Sequence, residues 1–392
     1  MSFHPLDEQA NLQALLTETY QTALQHINDL PQCPAGCLDS FDHFSTTLSE
    51  TGLGTEKTLE RFQQNILPYL SGSAGSRYWG FVAGGVTPAA LAGDWLSATI
   101  DQNVMVPGDS IATAVELAVI EQLKALFSLP QDGFDGVLTT GATASNLVCL
   151  ATARQWGGRK LGYDITREGF SCLDQFQIFA TTPHASQIKV QGILGFGQNH
   201  WVKVQGLSDA NGREGEAMDI EDLENKLNAS PAAVKIVISS AATVSTTAFD
   251  NFKAIAKVCK DYQAWHHLDG AFGLFARCSP KLAHLATEAE LADSITVDCH
   301  KWLNVPYDCG VALTRHRQLL EETFTSGAAY LETDTILPSM MNRGIENSRR
   351  FRALPVWFTL SAYGKAGIQK IVEQNCDRAI ATGRMDYIFA VL

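Results

Sequence analysis

Between Gly136 and Thr314, short β-branched and apolar runs alternate with stretches of helical periodicity, and few folds accommodate that alternation. Gly136-Val137-Leu138-Thr139 reads as a strand followed by a helix from Ala144 to Arg154, and Gln177-Ile178-Phe179-Ala180 as a strand followed by a helix from Ser186 to Ile193. Trp201-Val202-Lys203-Val204 precedes a helix from Ile220 to Leu227, and Val234-Lys235-Ile236-Val237-Ile238 precedes one from Phe252 to Tyr262. Further strands are predicted at Ala264–Leu268, Ser294–Val297 and Gly310–Thr314. Such strands predict an α/β fold, a mostly parallel sheet flanked by helices on both faces. Ligands in these sheets bind beyond the carboxyl ends of the strands, so chemistry is expected in the residues just after them.

Upstream, residues 8–30 and 55–70 read as amphipathic helices, with Leu12, Leu15, Leu16 and Leu59, Phe62, Ile66 at helical spacing. Together they suggest an N-terminal helical arm over 1–75 that packs on something else. Two long apolar helical stretches follow within 85–128, separated near Pro107-Gly108-Asp109. A large domain is expected over 76–347 and the start of a C-terminal small domain over 348–392.

Composition narrows the function. Of 392 residues 45% are hydrophobic and 18% charged, which is ordinary for a globular protein. The net charge of −13, without a Lys/Arg cluster, disfavours nucleic acid and anionic membranes as partners. Apolar stretches such as Pro88–Gly93 are too short to span a bilayer, and Met1–Glu8 lacks the basic and apolar regions of a secretory signal. The nine cysteines are odd in number and scattered, mostly in apolar context (Cys149, Cys259, Cys309), which predicts reduced thiols and a cytoplasmic location. Cys33 and Cys37 form a pair with no second pair at suitable spacing, so they read as an ordinary loop and no metal site is expected.

Four features carry chemistry. Thr139-Thr140-Gly141-Ala142-Thr143-Ala144-Ser145-Asn146 joins a strand to a helix through small residues, which suits an anion at a helix N-terminus and equally suits a plain capped helix. His184, after Phe179-Ala180-Thr181-Thr182-Pro183, could stack on a flat ring or be a surface-loop histidine. Asp269 ends an apolar run, where a carboxylate is costly unless paired, either with a ligand cation or as the cap of the next turn. Lys301, in Cys299-His300-Lys301-Trp302, follows the run Ser294–Val297 and sits 301 − 269 = 32 residues after Asp269. A lysine there must lose its charge, bind something or pair with Asp298. A lysine and an aspartate at two strand ends are what a pyridoxal phosphate enzyme needs, the amine to condense with the aldehyde and the carboxylate to hold the ring nitrogen protonated.

The segments TTGATASNL, PHASQIK, HLDGAFG and DSITVDCHKWLNVPYDCG resemble the pyridoxal-dependent group II amino-acid decarboxylases, over about Tyr78 to Gly367. The resemblance implies fold type I, pyridoxal 5'-phosphate as cofactor, an L-amino acid as substrate, release of an amine and carbon dioxide, and a homodimer whose N-terminal arms wrap around the partner. It implies that Lys301 carries the cofactor as a Schiff base, that Asp269 pairs with the pyridine nitrogen, and that His184 stacks on the ring with Ala271 on the other face. Gly141, Ala142 and Thr143 would hold the phosphate, helped by Asp298 and His300. Thr243 and Thr246 match a segment beside the cofactor, and Tyr78, Trp79 and Phe81 a segment lining the substrate pocket.

Two departures from the family pattern bear on the reaction. The stretch Leu331–Arg343 lacks the tyrosine with which many members return a proton to Cα; the nearest is Tyr330. Members without that tyrosine include oxidative aldehyde synthases. The family's small domain also continues well beyond the point matched by Leu392, so residues 348–392 are expected to be an incomplete part of it. Another pyridoxal phosphate reaction, or an inactive binding or dimerisation protein, are the alternatives to decarboxylation.

Overall fold

The computed structural model describes residues 5–36, 47–325 and 337–381. The chain divides into two compact units, Met1–Gly85 and Val86–Leu392. Residues 348–381 are part of the second unit.

In the first unit a 3-10 turn, Pro5–Asn11, leads into α1 (Leu12–Asp29), and α2 (Thr55–Asn65) follows. Glu8 fastens the start of α2, its carboxylate accepting from the Thr55 amide (2.6 Å) and hydroxyl (2.7 Å). Gln63 Nε2 donates to Thr22 Oγ1 at 2.6 Å and joins the two helices. No residue of α1 is buried, and Leu12, Leu16, Tyr20, Leu24 and Ile27 form an exposed stripe at spacings of three and four.

The second unit opens with α3 (Pro88–Ile100) and α4 (Ala112–Leu126). It continues through β1 (Asp135–Thr139), α5 (Ala142–Leu161), α6 (Ile165–Glu168), β2 (Phe176–Ala180), α7 (Ala185–Ile193) and β3 (Trp201–Lys203). A hairpin of β4 (Gly206–Ser208) and β5 (Glu214–Met218) follows, absent from the sequence expectation because its strands are short and polar. Then come α8 (Ile220–Ala229), β6 (Val234–Ser240), α9 (Phe252–Asp261), β7 (Trp265–Asp269), β8 (Ser294–Asp298), β9 (Gly310–Thr314), α10 (Arg317–Phe324) and α11 (Ala353–Ala381), which is interrupted at Gly364.

Seven strands form one sheet in the order β1-β9-β8-β7-β6-β2-β3. β9 runs antiparallel to both its neighbours and the other pairings are parallel. The alternation of side chains sorts the core into two layers: Ile178, Ile236 and Ile238 pack with Leu150 and Val190 of α5 and α7, whereas Phe179 and Val237 pack with Leu223, Ile255 and Val258 of α8 and α9. Helices therefore cover both faces, and the parallel strands β6, β7 and β8 end together at one edge of the sheet.

β1 is an edge strand, and a buried ion pair covers its open side. Arg349 meets Glu116 of α4 at 2.7 Å, both side chains fully buried. Glu116 Oε1 accepts from the Leu138 amide (3.0 Å) and Arg349 donates to the Leu138 carbonyl (2.6 Å), so the backbone groups an edge strand would expose are satisfied. Removing one member leaves the other charged, buried and unpaired. Glu116→Leu should lower the unfolding free energy by about 3–5 kcal/mol, and Arg349→Met added to it should restore much of that loss. Urea unfolding with an unchanged m-value checks both.

Candidate active site

Asp269 is the last residue of β7 and is 8% exposed. Its Oδ2 accepts from Gln187 Nε2 (2.7 Å) and from Asn146 Nδ2 (3.5 Å), and its Oδ1 from the Ala271 amide (3.1 Å). Trp265, His267 and Asp269 alternate onto one face of β7, and all three join one network. Trp265 Nε1 donates to Ser294 Oγ (3.0 Å), Ser294 Oγ meets His267 Nδ1 (2.9 Å), and His267 Nε2 meets Asn146 Oδ1 (2.8 Å). Burial pushes His267 down from 6.5 to about 4, with the nearby Asp269 charge opposing, so the ring is neutral at neutral pH.

Lys301 lies just past β8. Its Nζ is 3.0 Å from Asp298 Oδ2 and 5.4 Å from the centre of the Phe272 ring. Burial also lowers His300, against the pull of Asp298. The Cys309 amide donates to His300 Nδ1 (3.4 Å), which leaves Nε2 to face Asp298 Oδ2 at 3.6 Å.

The turn between β1 and α5 reaches the same place. Gly141 precedes α5 with φ 147°, a conformation that favours glycine, and no side chain caps the helix there. A Cβ on Gly141 would lie 3.0 Å from His300 Cε1 and 3.5 Å from Asp298 Oδ1; one on Gly310 would lie 2.7 Å from Gly141 Cα. Two glycines thus let the turn, the lysine loop and the start of β9 approach closely. The first amides of α5 point out of the helix unpaired by it, with Ala142 half-buried and Thr143 exposed.

His184 caps α7, its Nδ1 accepting from the Ser186 amide (3.2 Å) and lying 2.8 Å from Ser186 Oγ. Asn146 Nδ2 also reaches Ser186 Oγ (3.3 Å), so the exposed His184 ring is tied to the Asp269 network. Ala271 is buried and its carbonyl accepts from the Asp298 amide (2.9 Å), linking the Asp269 and Lys301 turns.

The residues present fit a phosphorylated pyridine aldehyde. A buried carboxylate, an amine beside an acid whose Oδ1 has no hydrogen-bond partner among the described residues, and an uncapped helix start opened by glycine form one group. Asp298 Oδ2 faces the Lys301 amine, and its Oδ1 lies towards the Gly141 turn.

Thr243 and Thr246 follow Ala241, whose amide donates to the Asp269 carbonyl (2.8 Å). Both hydroxyls donate to Glu216 of β5, Thr246 at 2.6 Å. Burial works to raise Glu216, but these hydroxyl bonds outweigh it and hold the carboxyl below its ordinary value. Tyr78, Trp79 and Phe81 belong to the first unit; Trp79 Nε1 donates to the Ser76 carbonyl (3.1 Å) and the Phe81 side chain is exposed. Cys37, Tyr330 and Leu331–Ile336 of the tyrosine-free stretch lie outside the described residues. Arg343, at its end, is fully buried and forked onto Asp135 (2.6 and 2.8 Å).

Residues 39–384 match the model of the pyridoxal-dependent decarboxylase conserved domain. The chain belongs to the pyridoxal-dependent decarboxylase family. An aromatic-L-amino-acid decarboxylase of Bacillus atrophaeus is 27% identical over 365 residues, 90% of this chain and 72% of that protein. A 3,4-dihydroxyphenylacetaldehyde synthase of Aedes aegypti is 25% identical over 88% of this chain and 67% of that protein. In fold the chain is similar to Oryza sativa TDC, solved with PLP and tryptamine, with a TM-score of 0.88 at 20% identity, covering 97% of this chain and 80% of that one. As a member of this family the chain is a carboxy-lyase with pyridoxal phosphate as cofactor. Among the described residues no helix is long and apolar enough to cross a membrane.

Sequence reading assigned no role to Asn146, Gln187, His267 or Phe272. Three of the four carried a signal: His267 is two residues before Asp269 on the same strand face, Gln187 is three after His184 on the same helix face, and Phe272 lies in the turn after Asp269. What was missing was the partner of each. His266 and His267 are both held at about 4 by burial, against 6.5 in the unfolded chain. Between those values the unfolded chain binds protons that the folded chain does not, so stability falls as pH drops. Asp250, raised by burial from 3.8 to about 6, acts in the opposite direction over much of that window. Two histidines outweigh one carboxyl, so the thermal midpoint should decline from about pH 6.5 to about pH 4, and less steeply in His267→Gln, by calorimetry.

Proposed function

We propose that this chain converts an aromatic L-amino acid to its amine and carbon dioxide, with Lys301 as the amine that holds the cofactor. The observation that carries this reading is the convergence of Lys301–Asp298, the Asp269 network and the Gly141 turn beyond the ends of neighbouring strands. When bound, pyridoxal phosphate supplies a ring that accepts the electron pair of the breaking Cα–carboxylate bond.

The chain's own residues divide the work. Asp298 holds the Lys301 amine in place, where it would meet the aldehyde of the cofactor. Asp269 accepts the hydrogen of the ring nitrogen and so favours the electron-accepting, cationic form. His184 offers a flat, exposed surface for one ring face and Ala271 a small one for the other. Gly141 and the first amides of α5 hold the phosphate, with the neutral His300 beside them. An uncombined Lys301 amine would serve as a base within the site. Support for an aromatic substrate comes from Tyr78, Trp79 and Phe81 and from the aromatic-amino-acid decarboxylase among the relatives.

Lys301→Ala should abolish the visible absorption band of the protein with pyridoxal phosphate, the covalent retention of the cofactor after borohydride reduction, and turnover together. Turnover surviving in that variant would sink the assignment. A second reading, oxidative formation of an aldehyde, is favoured by the tyrosine-free stretch 331–343 and by the acetaldehyde synthase relative. Oxygen uptake coupled to carbon dioxide release separates the two.

The exposed stripe Leu12, Leu16, Tyr20, Leu24 and Ile27 supports a homodimer, since water-facing apolar residues in line along a helix gain from a partner. Sedimentation equilibrium should give twice the chain mass, and Leu16→Glu with Leu24→Glu should shift it towards the monomer.

A further inference from the structure

We propose that Gln187 and Asn146 are positioning residues that aim the Asp269 carboxylate at a protonated ring nitrogen, with a one-way hydrogen-bond chain from Trp265 setting the amide of Asn146. The inference rests on the reading above, in which Asp269 pairs with the ring nitrogen of pyridoxal phosphate.

The direction of the chain follows from what each group can do. An indole N–H only donates, so Ser294 Oγ accepts from Trp265 (3.0 Å); at the other end a carboxylate only accepts, so the Asn146 NH2 faces Asp269 Oδ2 and its Oδ1 faces His267 Nε2, which leaves Nδ1 to accept from the Ser294 hydroxyl (2.9 Å). The buried His267 is neutral, so with Nδ1 accepting, its hydrogen sits on Nε2 and is given to Asn146 Oδ1 (2.8 Å). The Asn146 amide is thus held at both ends, its Oδ1 on His267 and its NH2 towards Asp269 Oδ2 (3.5 Å) and Ser186 Oγ (3.3 Å). The register of the sheet makes this possible, because His267 of β7 lies opposite Ser294 of β8.

Gln187 makes the shorter contact, Nε2 to Asp269 Oδ2 at 2.7 Å. A carboxylate cannot donate, so the amide must face it nitrogen first. Its Oε1 is buried without a hydrogen-bond partner among the described residues. An unsatisfied buried carbonyl destabilises the fold, so stability of the fold alone does not account for this glutamine. Gln187 also sits in the first turn of α7, the helix that His184 begins. One short helix thus places the residue for the ring face and a residue that steers the acid for the ring nitrogen.

The test compares wild type, Gln187→Glu and Gln187→Leu as full chains freed of cofactor. Each is titrated with pyridoxal phosphate at about pH 8.5 and about pH 6, following the visible band, with the cofactor-free thermal midpoint measured alongside. Glutamate has nearly the shape of glutamine but repels Asp269 when ionised and can donate to it when protonated. Gln187→Glu should therefore bind at least ~tenfold more weakly than wild type at the higher pH, and regain most of that ratio at the lower one. Gln187→Leu should be weakened at both. Wild-type affinity in both variants at both pH values would overturn the proposal, as would a pH-independent loss in Gln187→Glu that tracks a fallen thermal midpoint, the mark of a purely structural role. A wild type that forms no visible band would overturn the cofactor reading as well, whereas a normal wild-type band with indifferent variants overturns this inference alone.

Discussion

The interaction on which the site depends is the set of hydrogen bonds that makes a buried carboxylate tolerable at the end of β7. An ionised acid at 8% exposure is expensive unless donors surround it. Asp269 has three among the described residues: the Gln187 and Asn146 amides and the Ala271 backbone. Each comes from a different element, α7, α5 and the turn after β7. To satisfy the acid, the helix starts must sit against the strand end, and those same helix starts carry His184 and the Gly141 turn.

Close backbone approach does the rest. A side chain on Gly310 would collide with Gly141, and one on Gly141 would crowd His300, so His300 and Asp298 lie against the same turn. The antiparallel β9 is what brings Gly310 there, opposite Asp298 in register and opposite Thr139 on its other side. The outer edge of β1 is closed by Arg349 and Glu116, so the strand that leads into the phosphate-type turn is held on both sides.

Much of the fold was legible because its signals are local. β-branched runs such as Val234–Ile238 and the amphipathic stretch 252–262 need only their own residues to declare period and length, and most strands and helices start and end within a few residues of the expected bounds, whereas α5 runs on to Leu161 past Arg154 and α2 stops at Asn65. The hairpin at Gly206–Met218 escaped because Gly206-Leu207-Ser208 and Glu214-Gly215-Glu216 carry no apolar alternation. Lys301, Asp269 and His184 could be picked out as residue types that are costly or unusual just after apolar runs. Asn146 could not, since an amide in a helix is ordinary until its neighbour is known, and the spacing of Gln187 from His184 names a helix face but not the acid it meets.

By itself the sequence determined that the chain builds a helix-covered, mostly parallel sheet with a lysine, an aspartate and a histidine after its strands, since chain period and residue chemistry suffice for that. Only the tertiary structure decided that Thr243 and Thr246 turn to Glu216, that Asp298 faces the lysine, and that Gln187, Asn146 and His267 converge on Asp269. The physical reason is that hydrogen bonds between groups up to 123 positions apart (269 − 146) are set by strand order and register, which no short stretch of sequence contains.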